Sequence, residues 1–137
     1  MAVGVQADVR RIAQALTVPE YLEAWLCLPG RSGEPSLVAS QNRNGYSLDG
    51  YSDGRVAIRI ITSYCYRHQR KMRLLWRRVC ELNYSESIVD FRIRGNFSAS
   101  VLELNHIGFD SAGEYLWSQE LWHASLAKLT SLFVPLR

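Results

Sequence analysis

The sequence predicts an α+β domain, in which a curved antiparallel β-sheet wraps around one long C-terminal α-helix. Three observations support this fold class. Apolar and polar residues alternate through the middle of the chain, as in strands that bury one face. Near the C-terminus, apolar residues recur instead at the spacing of an amphipathic helix. Before the strands, residues 8–28 contain two short helical stripes that follow a short β-type stretch.

The composition is that of a single domain spanning residues 1–137. Hydrophobic residues make up 47% and charged residues 21% of the 137 positions, which excludes disordered, collagen-like and coiled-coil chains. The net charge of +3, without a recognisable reading element, predicts no nucleic-acid partner. The sequence has no apolar run long enough to span a membrane and no signal-peptide core, and its three cysteines lack disulfide or metal spacing. We therefore expect a cytoplasmic protein.

Two short helices are predicted after a first strand within residues 1–6. Asp8 is a candidate N-cap for the first helix, and Pro19 suits the first turn of the second. Each helix has an apolar stripe, formed by Val9, Ile12, Ala13 and Leu16 in the first and by Tyr21, Leu22, Trp25 and Leu26 in the second.

Period-two alternation predicts five strands, at residues 37–48, 56–66, 72–77, 89–94 and 101–106. Residues 49–54 (DGYSDG) have the chemistry of a turn. Because the strands follow one another with short gaps, they pair most simply as an antiparallel meander. In the second of these strands, Tyr64 and Tyr66 continue the apolar face, and His68 follows them.

The cover of the sheet is predicted near the C-terminus. Ser111 and Glu114 have the spacing of a capping box, and Trp122, Leu126, Leu129 and Phe133 form a helical apolar stripe behind it. Pro135 ends this pattern. A helix of about twenty residues spans about 30 Å, which is enough to cross a small sheet.

Four motifs in this order resemble the START-like (SRPBCC) superfamily, and most closely its branch named after the activator of heat-shock protein 90 ATPase homologue. They are residues 15–25 (ALTVPEYLEAW), Leu74-x-Trp76, residues 102–109 (LELNHIGF), and Trp122 followed by Leu126 and Leu129. The resemblance implies the helix-grip fold. It also implies a hydrophobic or amphipathic small molecule between sheet and helix, and some members are polyketide cyclases or dehydratases. Two features depart from the family, a short first strand and a basic segment between Arg67 and Arg78.

On this basis we predict a small-molecule-binding domain, without cofactor or metal, that is not an enzyme. The predicted ligand-binding residues line the inner sheet face and the helices; they are Trp25, Ile58, Ile60, Tyr64, Leu74, Trp76, Phe91, Leu104, His106, Trp122 and Leu126. One alternative is a cyclase- or dehydratase-type enzyme that uses the same cavity. Another is a chaperone-associated interaction domain. The chain is expected to be a monomer, or a homodimer if an edge of the sheet is open.

Several polar residues admit two interpretations. His106 shares a strand face with Leu104, and it is either a general base or ligand donor, or a core histidine whose hydrogen bonds are satisfied. Tyr64 is the other candidate acid or base; with Tyr66 and His68 it lines a pocket mouth or forms an exposed cluster at the strand end. The basic segment either binds an anion or is a solvated hairpin.

Overall fold

A computed structural model describes residues 1–30, 36–80, 83–96 and 98–133. The described residues form seven strands in one antiparallel sheet of order β1-β7-β6-β5-β4-β3-β2. The strands are β1 (Ala2–Val5), β2 (Ser36–Asn42), β3 (Gly45–Ser52), β4 (Arg55–Arg67), β5 (Lys71–Cys80), β6 (Asn83–Gly95) and β7 (Ser100–Ile107). The predicted meander is confirmed for β2 to β7, and β1 adds to it beside β7.

Three helices accompany the sheet in the described residues: α1 (Val9–Ala15), α2 (Pro19–Trp25) and α3 (Ala112–Leu132). Asp8 caps α1 by accepting a hydrogen bond from the Arg11 backbone N–H at 2.8 Å, and Pro19 begins α2. The long helix α3 has 21 residues. No helix in the described ranges is long and apolar enough to cross a membrane.

The core lies between the inner face of the sheet and the three helices. Alternate residues of each central strand point inward, as Met72, Leu74 and Trp76 do from β5. From the other side, Leu121, Trp122 and four further residues of α3 are buried. Leu74, Ile60 and Leu129 are fully buried, so the predicted fold class, with its covering helix, is confirmed.

The boundaries differ from the prediction at the first long strand. Residues 37–48 form two strands, β2 and β3, joined at Arg43 and Asn44. Asn42 ends β2, and its side-chain carbonyl accepts a hydrogen bond from the Asn44 backbone N–H at 3.0 Å. This Asx turn reverses the chain between β2 and β3. The turn predicted at 49–54 is reduced to Asp53 and Gly54, which both have positive φ, as in a type I′ hairpin.

A β-bulge changes the face of the residues at the end of β4. The register of β4 against β5 shifts between Tyr64 and Tyr66, so that Tyr66 pairs with Arg73, an outer-face residue. Tyr64 remains on the inner side, where its ring contacts the Tyr46 ring at 6.5 Å. The expectation that Tyr66 continues the inner apolar face was therefore wrong. His68 lies beyond the end of β4, and its ring stacks on Tyr66 with a centroid distance of 5.9 Å. A bulge inserts one residue, and strict alternation cannot anticipate it.

Candidate functional site

The predicted ligand-binding residues lie together at the interface between the inner sheet face and the helices. Ten of the eleven are buried, with exposed fractions from 0% to 8%: Trp25, Ile58, Ile60, Leu74, Trp76, Phe91, Leu104, His106, Trp122 and Leu126. The eleventh, Tyr64, is partly buried. These side chains pack against one another, and Trp122 of α3 lies at their centre.

Four rings surround the indole of Trp122. Its ring centroid is 5.4 Å from Trp76, 5.9 Å from Phe91, 6.1 Å from His106 and 6.4 Å from Trp25. The contacts with Phe91 and His106 are edge-to-face, a favourable geometry for aromatic pairs. Three strands (β5, β6 and β7) and two helices (α2 and α3) thus supply the rings of an aromatic interior.

His106 connects two polar side chains inside this apolar cluster. Its Nδ1 accepts a hydrogen bond from the Trp122 indole N–H at 2.9 Å. Its Nε2 lies 2.6 Å from the Ser87 hydroxyl oxygen. An indole N–H can only donate, so Nδ1 carries no proton and the neutral ring carries it on Nε2. His106 therefore donates to Ser87, and both ring nitrogens are engaged.

Burial keeps this imidazole neutral. His106 is 8% exposed, and desolvation lowers its pKa from 6.5 to about 4. Because the Nδ1 lone pair is occupied by Trp122 and Nε2 bears the proton, the ring offers no free lone pair at neutral pH. Of the two interpretations given above, the geometry agrees with the satisfied core histidine.

The Ser87 hydroxyl has a proton left to donate. It accepts from His106 and has no further hydrogen-bond partner among the residues that the structure describes. Ser87 is 8% exposed and lies on the inner face of β6, where its register partner is Trp76. A carbonyl or hydroxyl oxygen that enters the aromatic interior could accept this proton.

A second polar cluster joins the beginning of α3 to the sheet. Arg78 of β5 forms an ion pair with Glu114, and the Ser85 hydroxyl donates to the same carboxylate at 3.0 Å. The Arg78 guanidinium lies 4.2 Å from the centre of the Trp117 ring. Only 15% of the Arg78 side chain and 16% of the Glu114 side chain are exposed.

The capping box predicted at this helix is present only in part. Ser111 accepts from the Glu114 backbone N–H at 3.1 Å, as expected. The Glu114 side chain bonds Arg78 and Ser85. The inward position of Arg78 was not predicted, although the alternation of Met72, Leu74 and Trp76 extends to residue 78. Ser85 and Ser87, which share a strand face with Val89, were not predicted as site residues either.

The two candidate acid–base residues are not brought together. Tyr64 and His106 lie in one row across the sheet, through the register pairs Tyr64–Leu74, Leu74–Val89 and Val89–His106. Three interstrand spacings separate them, roughly 14 Å. Burial raises the pKa of Tyr64, and the nearby Arg67 guanidinium opposes this in part. The described residues include no group of three or more His, Cys, Asp or Glu side chains suited to a metal ion.

Comparisons with known proteins identify the fold. No protein-family model and no curated protein matches the chain. Among solved structures, CalU16 from Micromonospora echinospora is 18% identical with a TM-score of 0.66, over 98% of this chain and 74% of that one. The Aha1 dimer from Colwellia psychrerythraea is 13% identical with a TM-score of 0.60, over 97% of this chain and 92% of that one. DynU16, from the dynemicin biosynthetic locus, is 14% identical with a TM-score of 0.52, over 96% of this chain and 45% of that one.

These likenesses extend over nearly the whole chain at low sequence identity, so they concern the fold. They agree with the seven-stranded antiparallel sheet and the long helix α3 described above. The chain has the helix-grip fold that it shares with CalU16, DynU16 and the Aha1 dimer.

Proposed function

We propose that this protein binds a small amphipathic molecule between the inner sheet face and α3, and that it does not transform it. The apolar part of the ligand contacts the aromatic interior around Trp76 and Trp122, and an acceptor oxygen binds the Ser87 hydroxyl. The observation that supports this proposal is the hydrogen-bond chain from Trp122 through His106 to Ser87. These hydrogen bonds leave the Ser87 hydroxyl as a free donor in the aromatic interior, while the His106 ring beside it has no free lone pair to act as a base.

The occupied imidazole is what favours binding over catalysis. A general base must have a free lone pair within reach of the proton that it removes. In His106 one nitrogen accepts from Trp122 and the other bears the proton donated to Ser87. A cyclase or dehydratase would need this chain to break first. A ligand acceptor at Ser87 leaves the chain intact.

The beginning of α3 is the proposed entrance. Leu116 and Tyr115 there are 65% and 48% exposed, so this end of the helix presents apolar surface to solvent. The Arg78–Glu114 pair, the Ser85–Glu114 hydrogen bond and the Arg78–Trp117 stack hold this turn against the sheet. Because the interior side chains pack against one another, a ligand enters when these contacts part and Trp117 moves aside.

The test uses two bicyclic probes that differ by one oxygen, 1-tetralone, which has a ketone acceptor, and tetralin, which has none. Binding is followed through the indole N–H resonances of Trp76 and Trp122. We expect both probes to shift these resonances, with 1-tetralone bound about three- to tenfold more tightly, the contribution of one neutral hydrogen bond. Ser87→Ala should abolish the preference without abolishing binding.

Ser63→Ala is the matched control, because Ser63 lies on the outer face of β4 opposite Leu75. It should retain the preference for 1-tetralone. Resonances that move with neither probe contradict an interior binding site. Equal affinities for the two probes in the unmodified protein contradict the role of Ser87. Native mass spectrometry of the freshly purified protein extends the test, since a retained ligand adds mass that denaturation removes.

We also propose, on the motifs at residues 15–25 and 102–109, that the nearest relatives are the heat-shock protein 90 activator-like branch. The likeness to the Aha1 dimer supports this placement through the fold. The protein would work in the cytoplasm as one domain, as a monomer or a homodimer. Co-purification with the chaperone in stoichiometric amounts would favour an interaction domain over the ligand-binding function.

A further inference from the structure

The outer face of the sheet places two like charges side by side. Lys71 of β5 and Arg92 of β6 are register partners, and both point away from the buried inner face. Like charges directly opposite one another in a β-ladder destabilise it. Neither side chain forms an ion pair with a carboxylate among the described residues.

The carboxylates nearby are engaged by other arginines. The Asp90 carboxylate accepts two hydrogen bonds from Arg73, one from Nε at 2.7 Å and one from Nη2 at 3.0 Å. Glu103 is the register partner of Arg92 on its other side, but its carboxylate pairs with Arg94 at 3.2 Å. The outer face therefore pairs Arg73 and Arg94 with carboxylates and leaves Lys71 and Arg92 without one among the described residues.

A groove of about 580 Å³ lies over this pair and gives an anion room. Drug-sized ligands occupy pockets from about 300 to 1,000 Å³, so the groove exceeds the needs of a bare ion. Tyr66 and Asn105 line the groove, together with the carboxylates of Asp90 and Glu103. The Tyr66 ring centre lies 5.7 Å from the Lys71 ammonium, 5.8 Å from the Arg73 guanidinium and 5.9 Å from the His68 ring. The bulge in β4 is what turns Tyr66 to this face.

We propose that this groove binds a phosphate monoester, with its dianionic group between Lys71 and Arg92 and its organic part against the Tyr66 ring. Two cations on neighbouring strands can both donate charge-assisted hydrogen bonds to one phosphate group, and such bonds are stronger than neutral ones. The aromatic wall favours a flat organic group. This site lies on the opposite face of the sheet from the interior site, so its occupancy is independent of the proposed function.

The test is calorimetric titration with inorganic phosphate and with phenyl phosphate at low ionic strength, since salt screens exposed charges. We expect both to bind, and phenyl phosphate to bind more tightly. Lys71→Gln and Arg92→Gln should each weaken phenyl phosphate binding about tenfold or more, the loss expected for one hydrogen bond to a charged group. Tyr66→Leu should remove the advantage of phenyl phosphate over inorganic phosphate.

Arg55→Gln is the control, because it removes the same charge from the exposed beginning of β4, roughly 35 Å from Tyr66 along the strand. Sedimentation with phosphatidylcholine vesicles, with and without phosphatidic acid, identifies the source of the phosphate. Binding to the acidic vesicles alone, lost in Lys71→Gln, assigns the site to a lipid headgroup. Binding to neither probe nor vesicle, or an equal loss in Arg55→Gln, overturns the proposal.

Discussion

Acidification from pH 7 to pH 5 should destabilise this protein through His106. Its folded-state pKa is about 4, against 6.5 in the absence of burial. Well above pH 6.5 the imidazole is neutral in both the folded and the unfolded chain, so it contributes nothing to the pH dependence there. As the pH falls below 6.5, the unfolded chain binds a proton that the folded chain does not. Stability therefore decreases through this window, and the loss is complete below about pH 4.

The size of the effect follows from the two pKa values. Each unit of difference between the folded and unfolded pKa corresponds to about 1.4 kcal/mol. The free energy of unfolding should fall by about 2 kcal/mol between pH 7 and pH 5, and by about 3 kcal/mol in total. The window from pH 7 to pH 5 is the informative one, because ordinary carboxylates titrate mainly below it.

The assay is urea unfolding at pH 7 and pH 5 for the unmodified protein and His106→Gln. The glutamine amide stays neutral and can accept from Trp122 and donate to Ser87. Its absolute stability will be lower, but the difference between the two pH values should largely vanish. His123→Gln, an exposed position on α3, should preserve the difference. A loss of 2 kcal/mol that persists in His106→Gln, or one below about 0.5 kcal/mol in the unmodified protein, refutes this reasoning.

Two further predictions concern stability. Glu114→Gln leaves the largely buried Arg78 guanidinium without its counter-charge and should lower the free energy of unfolding by about 2 kcal/mol. The double variant with Arg78→Met should recover much of this loss. Strictly additive losses in a double-mutant cycle would contradict the coupling between the two residues. Gly45→Ala would place a Cβ 2.5 Å from the Thr62 carbonyl oxygen and should lower the free energy of unfolding, measured by chemical denaturation, by about 2 kcal/mol. Gly4→Ala is the control, because its Cβ meets no atom within 4 Å. Equal losses in the two variants would contradict the steric argument.

The fold was predictable because its elements leave separate signals in the sequence. The helical stripe of Trp122, Leu126 and Leu129 and the alternation of Met72, Leu74 and Trp76 each report one buried face. A sheet with one apolar face and a helix with one apolar stripe have few ways to cover each other. The helix α3 and the antiparallel sheet follow from that constraint.

For the candidate site, the sequence predicted which side chains point into the interior but not which of them form hydrogen bonds with one another. Alternation placed His106 inside but gave no information about Trp122 Nε1 and Ser87, which lie 16 and 19 positions away in sequence. The side chain of Glu114 illustrates the same limit. Its position in the chain matches a local capping motif, yet it bonds Arg78, 36 residues away. Competition between local and distant partners is decided by tertiary structure.

The most direct test of this account is the protonation state of His106, observed by long-range ¹H–¹⁵N correlation NMR of the imidazole between pH 7.5 and pH 4.5. We expect a neutral ring with its proton on Nε2 and a pKa of about 4. The Trp122 indole N–H should stay hydrogen-bonded throughout the titration. A ring protonated on Nδ1, or one that titrates near 6.5, would contradict this account, because His106 would then have a free lone pair and could act as a base.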